Sequence, residues 1–304
     1  MNVIETVGLG KRYRSIWALR DCTLAVPAGH VVALVGPNGA GKTTLLHCAV
    51  GLSTVTTGSV TVLGDLEAGS LDALERVAFV AQDAPLHRYL SVRAMLGVAR
   101  NLNRRFDEEQ AERRLRTLDI RPDTKVGKLS GGQQAQLALT LALARHPDLL
   151  VLDEPVARLD PLARYDFMAF VVTAVAEDGL SVLFSSHVIS ELERVADYLI
   201  LLTHGQVQMA GGIDDLLAGH AMLSGPAEES GAVTERFPVV QSRSAGRHAQ
   251  LLVRTNGRSA PPAGWESEDV SLEELVLAYL REPSASTRPG PLNLMGHYAT
   301  EVML

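Results

Sequence analysis

Gly36-Pro37-Asn38-Gly39-Ala40-Gly41-Lys42-Thr43 fits the pattern G-x-x-x-x-G-K-[ST]. Before it stands Val31-Val32-Ala33-Leu34-Val35, a short valine-rich run with the character of a buried strand. After it, Thr44-Leu45-Leu46-His47-Cys48-Ala49-Val50 opens a helix. Strand, glycine loop and helix in that order define a phosphate-binding loop. Glycines at 36, 39 and 41 permit backbone angles and close approach that a Cβ would block. The loop N–H groups then face a phosphate at the positive end of a helix dipole. Lys42 reaches the β- and γ-phosphates as a mobile charge, and the Thr43 hydroxyl is offered to Mg²⁺.

The chain has 304 residues, room for one large domain and a small one. It is 46% apolar and 21% charged, the balance of an ordinary globular protein. A net charge of −7 disfavours a broad nucleic-acid surface, and no nucleic-acid partner is expected. The basic cluster Arg113-Arg114 with Arg116 lies among Asp107, Glu108, Glu109 and Glu112, so it reads as a solvated helix face. The longest apolar runs, Phe167 to Ala176 and Leu137 to Ala144, fall short of the roughly 18 residues a membrane span needs. The N-terminus carries no basic-then-apolar leader. Cys22 and Cys48 both sit in apolar settings and are expected to be buried free thiols. Together these features predict a cytoplasmic protein that can still dock on a membrane partner.

Two further segments carry chemistry. Leu129-Ser130-Gly131-Gly132-Gln133 precedes a long apolar helix, Gln134 to Arg145, and forms a second site suited to an anion. On its own it reads equally as an ordinary cap with a glycine turn. Leu149-Leu150-Val151-Leu152 is continuously apolar and ends in Asp153-Glu154-Pro155, which predicts a parallel strand buried on both faces. Ligands of a doubly wound sheet sit at the carboxyl ends of such strands. Adjacent acids there point to opposite sides, so one can hold the water shell of Mg²⁺ while the other orients a nucleophile.

Around these segments the pattern alternates. Residues 3–35 contain several short strand-like runs with turns between them, including Tyr13 and Trp17. Strands follow at Ser59 to Gly64 and at Arg76 to Ala81, the latter ending at Gln82. Ser91 caps a helix from Val92 to Leu102, and Asp107 caps a charged helix to about Leu118. Helix 161–178 has Pro161 in its first turn, and a buried strand from Ser181 to Ser186 ends at His187. Val188 to Tyr198 is expected to be helical, and Leu199 to Met209 a hairpin turning at His204-Gly205. Taken singly, Tyr13 reads as half-buried packing, Gln82 carries little, and His187 reads as structural. Beyond Gly219 the texture changes. Ser224-Gly225-Pro226-Ala227-Glu228-Glu229-Ser230-Gly231 is linker-like, and Ser259 to Gly264 is a loop. Ala249 to Arg254 is a candidate strand, and Ser271 followed by Glu274 caps a helix to Arg281.

In order and approximate spacing, the phosphate loop, the Ser130-Gly131-Gly132-Gln133 segment and Asp153-Glu154 resemble the nucleotide-binding subunit of an ABC transporter. Leu159-Asp160 resembles its D-loop, Gln82 its Q-loop and His187 its switch histidine, and Tyr13 falls where the family places an adenine-stacking aromatic. Arg158 departs from the small residue more usual in the D-loop. The resemblance implies an α/β P-loop core with an antiparallel β subdomain and a helical subdomain at about 83–135. It covers residues 1–219 and leaves 220–304 as a small α+β appendage with a flexible linker and tail. Residues 269–280 are similar to the closing helix of exporter-type ATPases that pair with separate membrane subunits.

The implied cofactors are ATP and Mg²⁺. ATP would be held by Tyr13, by Gly36 through Thr43 (Pro37, Asn38, Gly39, Ala40, Gly41 and Lys42 between), and by Thr44 and Gln82. From a second copy, Ser130, Gly131, Gly132, Gln133 and Asp160 would close the site. Thr43, Gln82 and Asp153 would arrange the metal, Glu154 would polarise the attacking water, and His187 would contact the γ-phosphate. The implied partners are a second ATPase subunit, identical or paralogous, and an integral membrane permease, which would hold this chain peripherally on the cytoplasmic face of the membrane, with export of a drug, antibiotic or peptide expected. A soluble ABC ATPase of the translation-factor or regulatory kind is the rival reading.

Overall fold

A computed structural model describes residues 1–83, 85–157, 159–255 and 261–282. The chain runs through β1 (Asn2–Tyr13), β2 (Ile16–Pro27), β3 (Val31–Val35), α1 (Lys42–Ala49), β4 (Thr57–Val62) and β5 (Leu66–Glu67). Then come α2 (Leu71–Arg76), β6 (Val77–Val80), α3 (Val92–Leu102), α4 (Glu108–Thr117), α5 (Gly131–Leu143) and β7 (Leu149–Asp153). They are followed by α6 (Pro161–Asp178), β8 (Ser181–Ser186), α7 (Ile189–Leu192), β9 (Tyr198–Thr203), β10 (Gln206–Gly212) and α8 (Ile213–Ala218). The C-terminal unit holds β11 (His220–Pro226), α9 (Ser230–Arg236), β12 (Val239–Ala245), β13 (His248–Arg254), β14 (Glu266–Glu268) and α10 (Leu272–Arg281).

The central sheet has the order β10-β9-β3-β8-β7-β6. β9, β3, β8, β7 and β6 pair in parallel, and β10 closes one edge in antiparallel fashion. Every residue of β3, β7 and β8 is buried. Alternate side chains feed two different cores. Val32, Leu34, Val151, Leu183 and Ile200 face α1 and the β1–β2 hairpin. Val31, Ala33, Val35, Leu150, Leu152 and Phe184 face α6, whose Phe167 and Val171 are fully buried. Burial on both faces is why these strands are uniformly apolar instead of alternating.

A second sheet, β2-β1-β4-β5, is antiparallel. In place of several short runs, residues 2–27 form one long hairpin of two twelve-residue strands, kept twisted by repeated register shifts. Helices α3, α4 and α5 enclose a separate apolar core built on Val92, Leu96, Leu115, Leu137 and Leu141. Ser91 and Asp107 accept the expected capping bonds, from Ala94 N–H at 3.2 Å and Gln110 N–H at 2.8 Å.

Three expectations need correction. The helix expected from Val188 to Tyr198 is only α7, and Tyr198 already belongs to β9. The chain must leave the helix early because Asp197 is tied to β3: its N–H donates to Val31 O, and its carboxylate accepts the Val31 N–H at 3.0 Å. Arg76 does not begin a strand but ends α2, which Ser70 caps through the Ala73 N–H. The segment 224–231 is no linker: it completes β11, passes through a 3₁₀ turn at Ala227–Glu229 and enters α9.

The C-terminal sheet has the order β12-β13-β11-β14. One face packs with Val233, Phe237 and Trp265. The other, through Val240, Leu252 and the buried side of α10, joins the core that also contains Phe167 and Leu192. α10 begins with the expected box: Ser271 Oγ accepts the Glu274 N–H at 3.2 Å, and Glu274 Oε2 accepts the Ser271 N–H at 3.0 Å. Arg158, residues 259–260 of the expected loop, and the tail from 283 lie outside the described residues.

Candidate active site

The β3–α1 turn forms the floor of a cleft of about 570 Å³ at the carboxyl end of the central sheet. Tyr13, Ala18, Asn38, Gly39, Ala40, Gly41, Lys42, Thr43, Thr44, Gln82, Glu154 and His187 line it. Gly36 is required by its neighbour, since a Cβ there would lie 2.1 Å from the Leu202 carbonyl oxygen. Gly41 has φ +104° and precedes α1, so a left-handed residue turns the loop into the helix. Lys42 is buried, and its ammonium donates to the carbonyls of Gly36 at 2.7 Å and Pro37 at 3.2 Å. Burial holds its pKa below the usual lysine value, and the carboxylates of Glu154 and Asp153 oppose that shift.

β7 delivers the two acids to different places. Asp153 is buried and accepts the Ser185 hydroxyl at 2.7 Å. Ser185 in turn accepts the Glu154 N–H at 2.8 Å. Glu154 has φ +44°, a left-handed conformation rare outside glycine, asparagine and aspartate. That twist carries its carboxylate out of the strand and into the cleft. There Glu154 Oε2 accepts from Gln82 Nε2 at 3.3 Å and lies 3.3 Å from His187 Nδ1, while Oε1 is 3.9 Å from Lys42 Nζ. One carboxylate therefore meets an ammonium, an amide and an imidazole. Ser185 fixes both acids, yet it escaped the sequence reading. The signal was present as two serines ending the otherwise apolar strand Val182-Leu183-Phe184-Ser185-Ser186.

Tyr13 stands half-exposed on the rim, its hydroxyl 3.3 Å from that of Ser53 and its ring centroid 5.0 Å from Lys11 Nζ. Thr43 presents an exposed hydroxyl at the start of α1. Thr43 and Gln82 line the cleft, whereas the buried Asp153 does not; their hydroxyl, amide and carboxylate oxygens are donor types suited to Mg²⁺. No cluster of three His, Cys, Asp or Glu ligands occurs among the described residues. Mg²⁺ needs none when phosphates and water complete its octahedron.

Ser130, Gly131, Gly132, Gln133 and Asp160 do not line this cleft. Ser130 caps α5, its Oγ accepting the Gln133 N–H at 3.1 Å while Gln133 Oε1 accepts the Ser130 N–H at 3.1 Å. Asp160 caps α6 through the Ala163 N–H at 2.9 Å. The two caps are neighbours: a Cβ on Gly132 would sit 3.6 Å from Ala163 Cβ and 3.7 Å from Leu159 Cδ2. The exposed tip of α5 and the start of α6 thus form a second surface on the same chain, apart from the phosphate loop.

The fold and this cleft define a P-loop ATPase. A family model described as "ABC transporter" matches residues 19–157. An uncharacterised ABC transporter ATP-binding protein of Nostoc sp. is 31% identical over 230 residues, covering 71% of this chain and 68% of that one. The molybdenum import ATP-binding protein ModC of Aromatoleum aromaticum is 36% identical over 210 residues, covering 65% of this chain and 55% of the relative. The chain spans about half to two thirds of the length of these curated relatives. A solved ATP-binding subunit of an ABC transporter superposes with a TM-score of 0.64 at 28% identity, covering 71% of this chain and 92% of that one. The chain belongs to the ABC transporter ATP-binding family, and is an ABC ATPase by fold and by sequence.

Proposed function

We propose that two copies of this chain, or one copy and a paralogue, clasp Mg·ATP between them and hydrolyse it to drive a separate membrane permease. The observation that carries the reading is the division of the site. The phosphate loop, Gln82, Glu154 and His187 share one cleft, while Ser130 through Gln133 stand on a different surface. A head-to-tail pair brings each such surface over the other copy's cleft.

Within the cleft, Lys42 and the loop N–H groups offset phosphate charge, and Tyr13 stacks on adenine. Thr43, Gln82 and Asp153 would hold Mg²⁺, which would supply charge neutralisation to the phosphates. Glu154 accepts a hydrogen bond from the attacking water and takes its proton as the water adds to the γ-phosphate, and His187 fixes that phosphate beside it. Glu154→Gln keeps the side-chain shape and loses the base. The expected result is a stable ATP-bound dimer with turnover reduced by about 10²-fold or more, read by size-exclusion chromatography with ATP and by phosphate release. Normal turnover in that variant overturns the assignment.

The permease partnership is supported by a surface groove of about 660 Å³ between the end of α1, α2 and the end of α3. Leu52, Leu71, Leu74 and Leu102 stand exposed on or beside it, at 65%, 81%, 49% and 77%. Such a patch marks an interaction site. No helix among the described residues is long and apolar enough to cross a membrane. On direction, residues 269–280 implied an exporter, whereas ModC is named an import ATPase. The relative lends the exporter expectation no support, and the proposal is made for ATP-driven transport as such. Uptake and efflux assays on vesicles carrying the reconstituted complex distinguish the two directions.

A further inference from the structure

His187 joins the buried end of β8 to α7, a helix of only four residues. One turn of helix has no stability of its own, so packing must place it. Leu192 of α7 is fully buried in the same core as Leu275, Val276 and Tyr279 of α10, and Ile189 rests against that core. α10 lies directly against both α7 and α8. Part of the packing that places α7, the helix following His187, is therefore supplied by the C-terminal unit.

α10 is itself pinned by a buried polar clip. His220 opens β11 and Arg254 closes β13, and the two are paired across the ladder. Arg254 Nε donates to the Tyr279 hydroxyl oxygen at 2.9 Å. His220 Nδ1 lies 2.6 Å from the Leu216 carbonyl oxygen, which can only accept, so Nδ1 carries the proton. Nε2 is then left to accept the Tyr279 hydroxyl hydrogen at 2.9 Å. All three side chains are buried, so His220 and Arg254 each lose a partner outright if the Tyr279 hydroxyl is removed.

We propose that the Tyr279 hydroxyl, through α10 and α7, is a positioning group that sets His187 against the γ-phosphate. The C-terminal unit then acts on the rate of hydrolysis without touching nucleotide. This rests on the proposed role of His187.

The test is a double-mutant cycle in the full chain: wild type, Tyr279→Phe, His187→Ala and the double variant, assayed for ATP kcat and KM. Tyr279→Phe is expected to lower kcat about five-fold while KM stays within about two-fold, since a positioning effect falls on the transition state. In the His187→Ala background the same change is expected to alter kcat by less than about 1.5-fold, the mark of two residues acting as one unit. Equal fold-losses in both backgrounds, or no loss in either, overturn the inference alone. A His187→Ala enzyme that turns over like wild type overturns the hydrolytic reading of His187 and this inference with it. Independently of turnover, hydrogen–deuterium exchange in Tyr279→Phe is expected to rise over residues 188–196 while β3 and β7 stay protected. Unchanged exchange there overturns the proposal, and Arg254→Met, which removes the donor to the Tyr279 oxygen, is expected to repeat the pattern.

Discussion

Two glycines of one loop separate steric need from conformational need. Gly36 has no room: its missing Cβ would meet a backbone oxygen of β9 at 2.1 Å. Gly39 has room on every side but holds φ +80°. Gly36→Ala is therefore expected to destabilise the chain by about 2–3 kcal/mol or more, because a backbone must shift to admit the methyl. Gly39→Ala is expected to cost about 1–2 kcal/mol of backbone strain. Urea unfolding of the two variants checks the order, and the reverse order would contradict the packing described for Gly36. At this scale the sequence was most informative where chemistry demands a residue type. Lys42, Glu154, Gln82 and His187, found by motif and order along the chain, do meet around one carboxylate. Ser185 was missed because its work is relational. It accepts from one acid's backbone and donates to the other's carboxylate, and a lone serine gives no sign of either bond.

Elements show where local signals suffice and where they fail. The caps at Ser91, Asp107, Ser130 and Ser271 were legible because each bond closes within three residues. The segment Ser224-Gly225-Pro226 misled because its glycine answers a distant neighbour: a Cβ on Gly225 would lie 2.4 Å from Trp265. On its β14 side Pro226 meets no partner strand, since β14 pairs only with residues 222–224 of β11, while on the other side it stays in register with His248 of β13. The short α7 was unreadable for a similar reason, because its end is set by Asp197 bonding to β3. Ser130 caps α5 and, in the proposed dimer, closes the other copy's site, and substitutions can separate the two. Ser130→Ala is expected to lose the α5 cap alone, worth about 1 kcal/mol and visible as a lowered melting temperature. Ser130→Arg adds bulk and charge at the exposed tip, and should block ATP-dependent dimerisation while the monomer still binds nucleotide. Dimer formation by Ser130→Arg at wild-type ATP concentrations would refute the shared site.

Among the described residues the central sheet and the C-terminal unit pack together, because α10 and the α6 face of the sheet share a core. The chain's stability should carry the signature of His220. Burial depresses this imidazole below its ordinary value of 6.5. As pH falls through that value, the unfolded chain takes up a proton the native state refuses, so stability is lost on the acid side. Unfolding free energy is expected to decline from pH 7 toward 5.5, and less steeply in His220→Gln; equal slopes would contradict the buried neutral imidazole. At the outer surface, Leu71→Asp should leave nucleotide binding intact while weakening co-purification with a permease, and unaltered capture would move the docking site elsewhere. The two native thiols offer a practical opening. Cys22 and Cys48 are 0% and 1% exposed, and Cys22 Sγ is engaged with the Gly205 carbonyl at 3.0 Å. The chain is thus naturally silent to maleimide dyes. A single cysteine installed at the α5 tip or beside the phosphate loop becomes the sole label, and fluorescence energy transfer between two such dyes can time the clasp stroke by stroke in otherwise unaltered protein.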